Sequence, residues 1–285
     1  MVIGHQKQWQ YLKRMVDSGK IPQALLFSGQ EKLGKKKVAL EFISLLFKES
    51  PIGHPDFLLI EPKERQIKID QIRDLSWRLS LKPIKSFLKA AIIDQAHLMT
   101  IEAQNCFLKT LEEPRGETIL ILITEYPNFL LPTILSRCEI LKFYPVKNEE
   151  LRKFSIEKGI EKEKIEKILK ISFGKPGLLI DFLENPGKLK EREEREREII
   201  KISNLPLWAR FQYAKDLAGK SNLKEVLEIW LNYFRAILLE KCSSSNIEHL
   251  AKIEKILQKI QRTIFLVSTT NVNPRLALEI LMLEL

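Results

Sequence analysis

The sequence predicts an α/β fold over its first half and an all-helical second half, on three observations. Across residues 1–145, short apolar runs alternate with stretches of helical spacing. A glycine-rich loop follows the first of those runs, and beyond Pro145 the strand-like runs stop. Strand–helix alternation of this kind implies a parallel sheet covered by helices on both faces. A glycine loop after the first strand places any ligand at the C-terminal edge of that sheet.

The first strand is read at Ala24-Leu25-Leu26-Phe27, and Lys35 to Phe47 follows with helical spacing. Phe57-Leu58-Leu59-Ile60 is the second strand, and Asp70 to Leu81 an amphipathic helix. Ala90 to Ile93 is the third strand; Thr100 then caps a helix reaching Leu111. Thr118 to Ile123 is a continuous apolar, β-branched run, as expected of a strand buried on both faces. Pro127 to Leu135 reads as a short helix and Glu139 to Tyr144 as a last strand. Asn148 to Ser172 reads as one helix, broken by Phe173-Gly174-Lys175-Pro176-Gly177 before another near Leu178 to Leu183. Asn185-Pro186-Gly187 reads as a turn, and the mixed charges of Lys188 to Glu198 as a solvated helix face with i,i+4 pairs. Leu205 to Leu239, Ile247 to Ser268 and Pro274 to Leu285 complete a helical bundle.

With 285 residues, 45% of them hydrophobic, the chain is long enough for two or three domains. No apolar run approaches the ~20 residues that span a bilayer, and the first ten residues lack a signal-peptide h-region. The expected location is the cytoplasm, with no membrane partner. Cys106, Cys138 and Cys242 lie too far apart for a zinc knuckle or a disulfide framework. A net charge of +10 suits nucleic acid or an acidic partner. The same excess also fits a Lys/Glu-rich solvated surface, and no basic block is paired with the aromatic platforms of single-strand binders.

Residues Gly29 to Lys36 read GQEKLGKK, close to the phosphate-binding pattern G-x-x-x-x-G-K-[ST]. Gly29, Gly34 and Lys35 are in place, but Lys36 stands where a hydroxyl would hold Mg²⁺. Ala90 to Asp94 is an apolar strand ending in an acid, and the next residue, Gln95, is an amide where ATPases of this class usually carry a carboxylate. Thr124 ends the fourth strand, where a polar side chain could face a γ-phosphate; a strand-terminating Thr is the plainer reading. Ser136-Arg137-Cys138, taken alone, is a surface arginine beside a thiol tucked into the core.

In company these segments resemble the delta-prime subunits of the bacterial DNA polymerase III clamp loader, within the AAA+ family. The matching segments are Ile3-Gly4-His5, Pro22 to Gly29, His54-Pro55-Asp56, Ile69-Asp70-Gln71-Ile72-Arg73 and Asp94-Gln95-Ala96-His97. They continue through Leu108-Lys109-Thr110-Leu111-Glu112-Glu113-Pro114, Ser136-Arg137-Cys138 and Asn271 to Leu278. The resemblance implies a RecA-like AAA+ domain over 1–145, a small helical lid over 146–186 and a helical collar over 187–285 that holds a ring together. It implies a hetero-pentameric ring with gamma/tau-type ATPase subunits and a delta subunit, acting on a sliding clamp at primed DNA. Arg137 would be a finger reaching in trans to the γ-phosphate of ATP on a neighbour. The chain's own site at Gly29, Gly34, Lys35, Asp94 and Thr124 would be degenerate, with weak ATP or ADP binding at most and no required cofactor.

Two departures from relatives bear on activity. Lys36, Gln95 and Gly177 stand where ATPase relatives carry a hydroxyl, a carboxylate and a sensor arginine, so little or no hydrolysis is expected of this chain. Many relatives carry a four-cysteine zinc module where this sequence has Glu49-Ser50-Pro51-Ile52-Gly53-His54, so neither zinc nor any other metal is expected. An active gamma-type ATPase and a stand-alone DNA-binding protein with a relic ATPase fold are the alternative readings.

Overall fold

The computed structural model describes residues 3–113, 116–220, 222–241, 247–270 and 272–285. Pro114, Cys242 and Asn271, used in the sequence reading, lie outside the described residues. The chain divides into two compact units, Met1–Ile180 and Asp181–Leu285.

The first unit opens with α1 (Gln6–Ser18), an element not read from sequence although Leu12 and Met15 face the core and Gly19 ends it in the left-handed region. Then come β1 (Ala24–Ser28), α2 (Lys35–Phe47), β2 (Phe57–Ile60), α3 (Ile69–Ser80) and β3 (Lys89–Ile93). They are followed by α4 (Ile101–Glu112), β4 (Thr118–Thr124), α5 (Pro132–Leu135) and β5 (Glu139–Lys142). The five strands are parallel in the order β2-β3-β4-β1-β5. Alternate side chains divide the core into two layers. Leu25, Phe27, Ala90, Ile92, Ile119, Ile121 and Ile123 face α1 and α2. Leu26, Ala91, Ile93, Leu120 and Leu122 pack with Ile72, Leu75, Ala103 and Phe107 of α3 and α4. The apolar run at Thr118 to Ile123, read as a doubly buried strand, is therefore buried on both faces by helices, as period-two side chains require.

Thr100 caps α4, its hydroxyl accepting the Ala103 N–H at 3.2 Å. The single helix expected over Pro127 to Leu135 is two pieces, a 3₁₀ turn at Pro127–Phe129 and α5. Leu130 and Leu131 between them are extended, as the residue before Pro132 prefers. The helix expected over 148–172 is likewise two, α6 (Asn148–Glu157) and α7 (Lys162–Ser172). Gly159, at φ 73°, takes the left-handed turn between them.

The turn at 84–86, which leads into β3, rests on Asp56. Its carboxylate accepts the backbone N–H groups of Ile84, Lys85 and Ser86 at 2.7, 2.8 and 2.9 Å. Burial raises its pKa, but these three bonds outweigh that and hold the group below the usual carboxylate range. Buried His54 accepts the Asp56 N–H at Nδ1 and sits 2.9 Å from Glu49 through Nε2, its ring against Phe47. The His-Pro-Asp segment is thus a brace for the turn that delivers β3.

α8 (Pro176–Glu184) contains the division between the units. The second unit consists of α9 (Pro186–Ser203), α10 (Leu207–Ala218), α11 (Leu223–Lys241), α12 (Ile247–Thr269) and α13 (Pro274–Met282). Pro186 occupies the first turn of α9, so the expected turn at 185–187 is a helix start. Its core gathers Ile199, Trp230, Ile260, Leu278 and Leu281. The charged run on α9 is not wholly solvated, which corrects the sequence reading. Arg192 is 4% exposed, paired with Glu196 at 2.9 Å and lying over the Phe182 ring. Arg195 pairs with Glu198 at 2.8 Å, and the Tyr213 hydroxyl donates to the same carboxylate at 2.9 Å. No helix among the described residues is long and apolar enough to cross a membrane.

Candidate functional site: a glycine loop with an internal cation

Gly29, Gly34, Lys35, Asp94 and Thr124 converge at the C-terminal edge of the sheet. Gly29 leaves β1 at φ 155°, and a Cβ there would lie 2.4 Å from the Phe143 carbonyl oxygen, so only glycine lets the loop pass. Gly34 caps α2 in the left-handed region at φ 88°. The loop is held from outside by His5, whose buried ring lies with Nε2 2.8 Å from the Leu33 carbonyl and packs edge-on to Phe143. Burial lowers the His5 pKa, which favours a neutral ring beneath the loop.

Lys35 is 7% exposed and donates to the carbonyls of Gly29 and Gln30, each at 2.5 Å. Burial lowers its pKa to about 8, against the opposing fields of Glu125, Asp94 and Glu31. The unfolded chain therefore holds this proton more tightly than the folded one. Stability should rise with pH from about 8 to the ordinary value of 10.5, and the penalty is fully present below that window. In urea titrations across that range, Lys35→Met should flatten this rise; an unchanged slope would remove Lys35 as its source.

Thr124 is buried, 3.2 Å from His97 Nδ1, and accepts the Tyr126 N–H at 3.0 Å. Its carbonyl accepts the Gly29 N–H at 3.2 Å, tying the end of β4 to the loop. Asp94 follows β3 directly. One carboxylate oxygen accepts the Gln95 N–H at 2.9 Å and the other lies 3.3 Å from the Lys36 ammonium. That ammonium also contacts Glu61, the residue after β2, at 2.5 Å. Glu61 was missed from sequence; the only signal was an acid closing a strand, as Asp94 closes its neighbour. Mg²⁺ does not fit here as it would in a working ATPase. The position of the metal-binding hydroxyl is taken by Lys36, and the carboxylate that would face the ion already faces an ammonium.

The loop is also capped by the start of α8. The Gly177 N–H donates to the Lys32 carbonyl at 2.8 Å. A Cβ on residue 177 would sit 2.8 Å from that oxygen and 3.1 Å from the Lys32 Cα. Gly177→Ala should lower stability by about 1–3 kcal/mol and speed amide exchange over residues 29–34. Unchanged exchange would show that the contact does not restrain the loop.

Arg137 lies elsewhere. It precedes β5, whose first residue, Glu139, is level with Leu25 near the start of β1, whereas the loop leaves β1 after Ser28. Its side chain is 39% exposed, paired with Glu112 at 2.8 Å and donating to the Thr133 carbonyl at 3.0 Å. Cys138 beside it is buried, its pKa pushed up to about 12 by burial, so it is an unreactive core thiol.

The strand order, and a glycine loop at the carboxyl edge of β1, give the chain the fold of the AAA+ class. A DNA polymerase III gamma subunit-related protein of Thermotoga maritima shares this fold, with a TM-score of 0.58 at 21% identity over 97% of both chains. Residues 4–147 match the family described as DNA polymerase III, delta subunit, and the chain belongs to that family. The DNA polymerase III subunit delta' of Bacillus subtilis is 34% identical over 165 residues, 52% of this chain. This chain spans only 50% of the length of that relative. A replication factor C small subunit of Methanococcus maripaludis is 30% identical over 236 residues, 75% of this chain and 73% of its own.

Proposed function

We propose that the chain is a non-hydrolysing subunit of the replicative clamp loader that lends Arg137 to a neighbouring ATPase subunit. The observation that carries this reading is the placement of Arg137 at the opposite end of β1 from its own loop. The strand intervenes, roughly 3.3 Å per residue, so a finger role at 137 serves another subunit's nucleotide. A guanidinium suits that task, being always charged and presenting a fork of donors to phosphate oxygens.

Absence of turnover is supported by Lys36, Gln95 and Gly177 together. The first engages Asp94 with an ammonium, the second offers no carboxylate to orient water, and the third leaves no room for a sensor side chain. Gly29, Gly34, Lys35, Asp94 and Thr124 then form a degenerate nucleotide site that requires no cofactor for the chain's role.

The domain roles follow: a RecA-like domain over 1–145, a lid over 146–186 and a collar over 187–285. Leu276 and Ile280 on α13 and Leu283 at its C-cap are all more than half exposed at i, i+4, i+7 spacing, a stripe suited to packing on neighbours in a ring. The partners on this reading are gamma/tau-type ATPase subunits, delta, the sliding clamp and primed DNA. The test is ATP hydrolysis by the chain alone, then in the assembly with its cognate subunits, clamp and primed DNA, comparing wild type with Arg137→Ala. Negligible turnover alone and a deficient mutant assembly support the reading. Robust turnover alone that Lys35→Ala abolishes would instead make this a motor subunit.

A further inference from the structure

Glu61 and Asp94 are brought side by side by the sheet. β2 and β3 pair in register with Ile60 opposite Ile93, so the acids that follow them leave adjacent strands at one level. Two neighbouring carboxylates repel unless a cation lies between them. Lys36, on the first turn of α2, reaches both, at 2.5 Å from Glu61 and 3.3 Å from Asp94.

We infer that the Lys36 ammonium is the resident cation of this site, standing where a divalent metal would act, and that the chain takes no divalent ion at Asp94. The chemistry explains why a lysine is tolerated at the hydroxyl position. It supplies one fixed positive charge to two carboxylates, and its four-carbon stem spans from the helix to both strand ends. The ammonium is covalently attached, so no free-ion concentration governs its presence. Two oxygen-donor carboxylates released from it would make a hard-cation site of the usual kind. Removing the ammonium should therefore create what the wild type lacks.

The experiment is Mn²⁺ titration of the full-length chain without nucleotide, followed by the paramagnetic resonance of the free aqua-ion. Wild type should leave the signal undiminished. Lys36→Thr should deplete the free-ion signal that wild type leaves intact, and adding Asp94→Asn or Glu61→Gln to that variant should abolish the gain. Should Lys36→Thr fail to fold, Lys36→Ala, which removes the same charge, must show the same gain. Mn²⁺ binding by wild type that Asp94→Asn removes would overturn the inference, as would a Lys36 variant that folds and gains nothing. The inference deepens the non-hydrolysing reading, and the two fail separately. Turnover by the chain alone sinks that reading, whereas Mn²⁺ at Asp94 in an inactive wild-type chain sinks only this one.

Discussion

If the proposed finger role holds, Arg137→Ala should cut nucleotide turnover by a large factor in an assembly reconstituted with the proposed ATPase subunits. Arginine fingers contribute on the order of 10³–10⁵ in rate where they complete a phosphoryl-transfer site. The lower end of that range is expected if the neighbour's own groups carry part of the charge. The loss should occur without loss of fold, because Arg137 is 39% exposed and its partner Glu112 is a solvent-facing carboxylate. Exposed pairs of this kind are worth about 0.2–1 kcal/mol, so exchanging Glu112 for a phosphate costs little. Arg137→Lys should restore charge but not the fork, and should recover only part of the activity. An assembly that turns over equally well with alanine at 137 would reduce this residue to a surface arginine.

The second large effect is on stability. Asp56→Ala should destabilise the first unit by about 3–5 kcal/mol, since three backbone donors lose a charged acceptor at once. Asp56→Asn should cost less, because an amide oxygen can still accept at least one of them. The carboxylate is held below its ordinary range, so its contribution is present above the unfolded pKa and lost as pH falls through the folded one. Thermal unfolding at pH 7 and in the acid limb should show the two variants converging with wild type only in acid. Equal midpoints for wild type and Asp56→Ala at pH 7 would mean that the 84–86 turn stands without its brace.

Much of this architecture was legible in the sequence because its determinants are short-range. The Thr100 cap, the period-two burial of the strands and the glycine loop each depend on a few consecutive residues. What escaped depends on contacts between distant segments. Nothing local marks Glu61 as the partner of Lys36, or Asp56 as the acceptor for the turn at 84–86; both follow from strand order. Arg192 was read as solvated because charge predicts exposure in general. The structure buries it where α9 brings Glu196 and an aromatic face within reach. The missed breaks at Gly159 and Pro132 are different, since both residues are visible breakers that apolar periodicity on either side outweighed.

The close approach of Gly177 to Lys32 sets position 177 apart from positions 36 and 95. Placing a hydroxyl at 36 or a carboxylate at 95 is a single exchange at the loop or strand end. Placing an arginine at 177 drives its Cβ into the Lys32 backbone, 2.8 Å from the carbonyl oxygen. The loop and the start of α8 would have to separate before the new side chain could be accommodated. Position 177 therefore tolerates a larger side chain only if the Lys32 backbone moves with it.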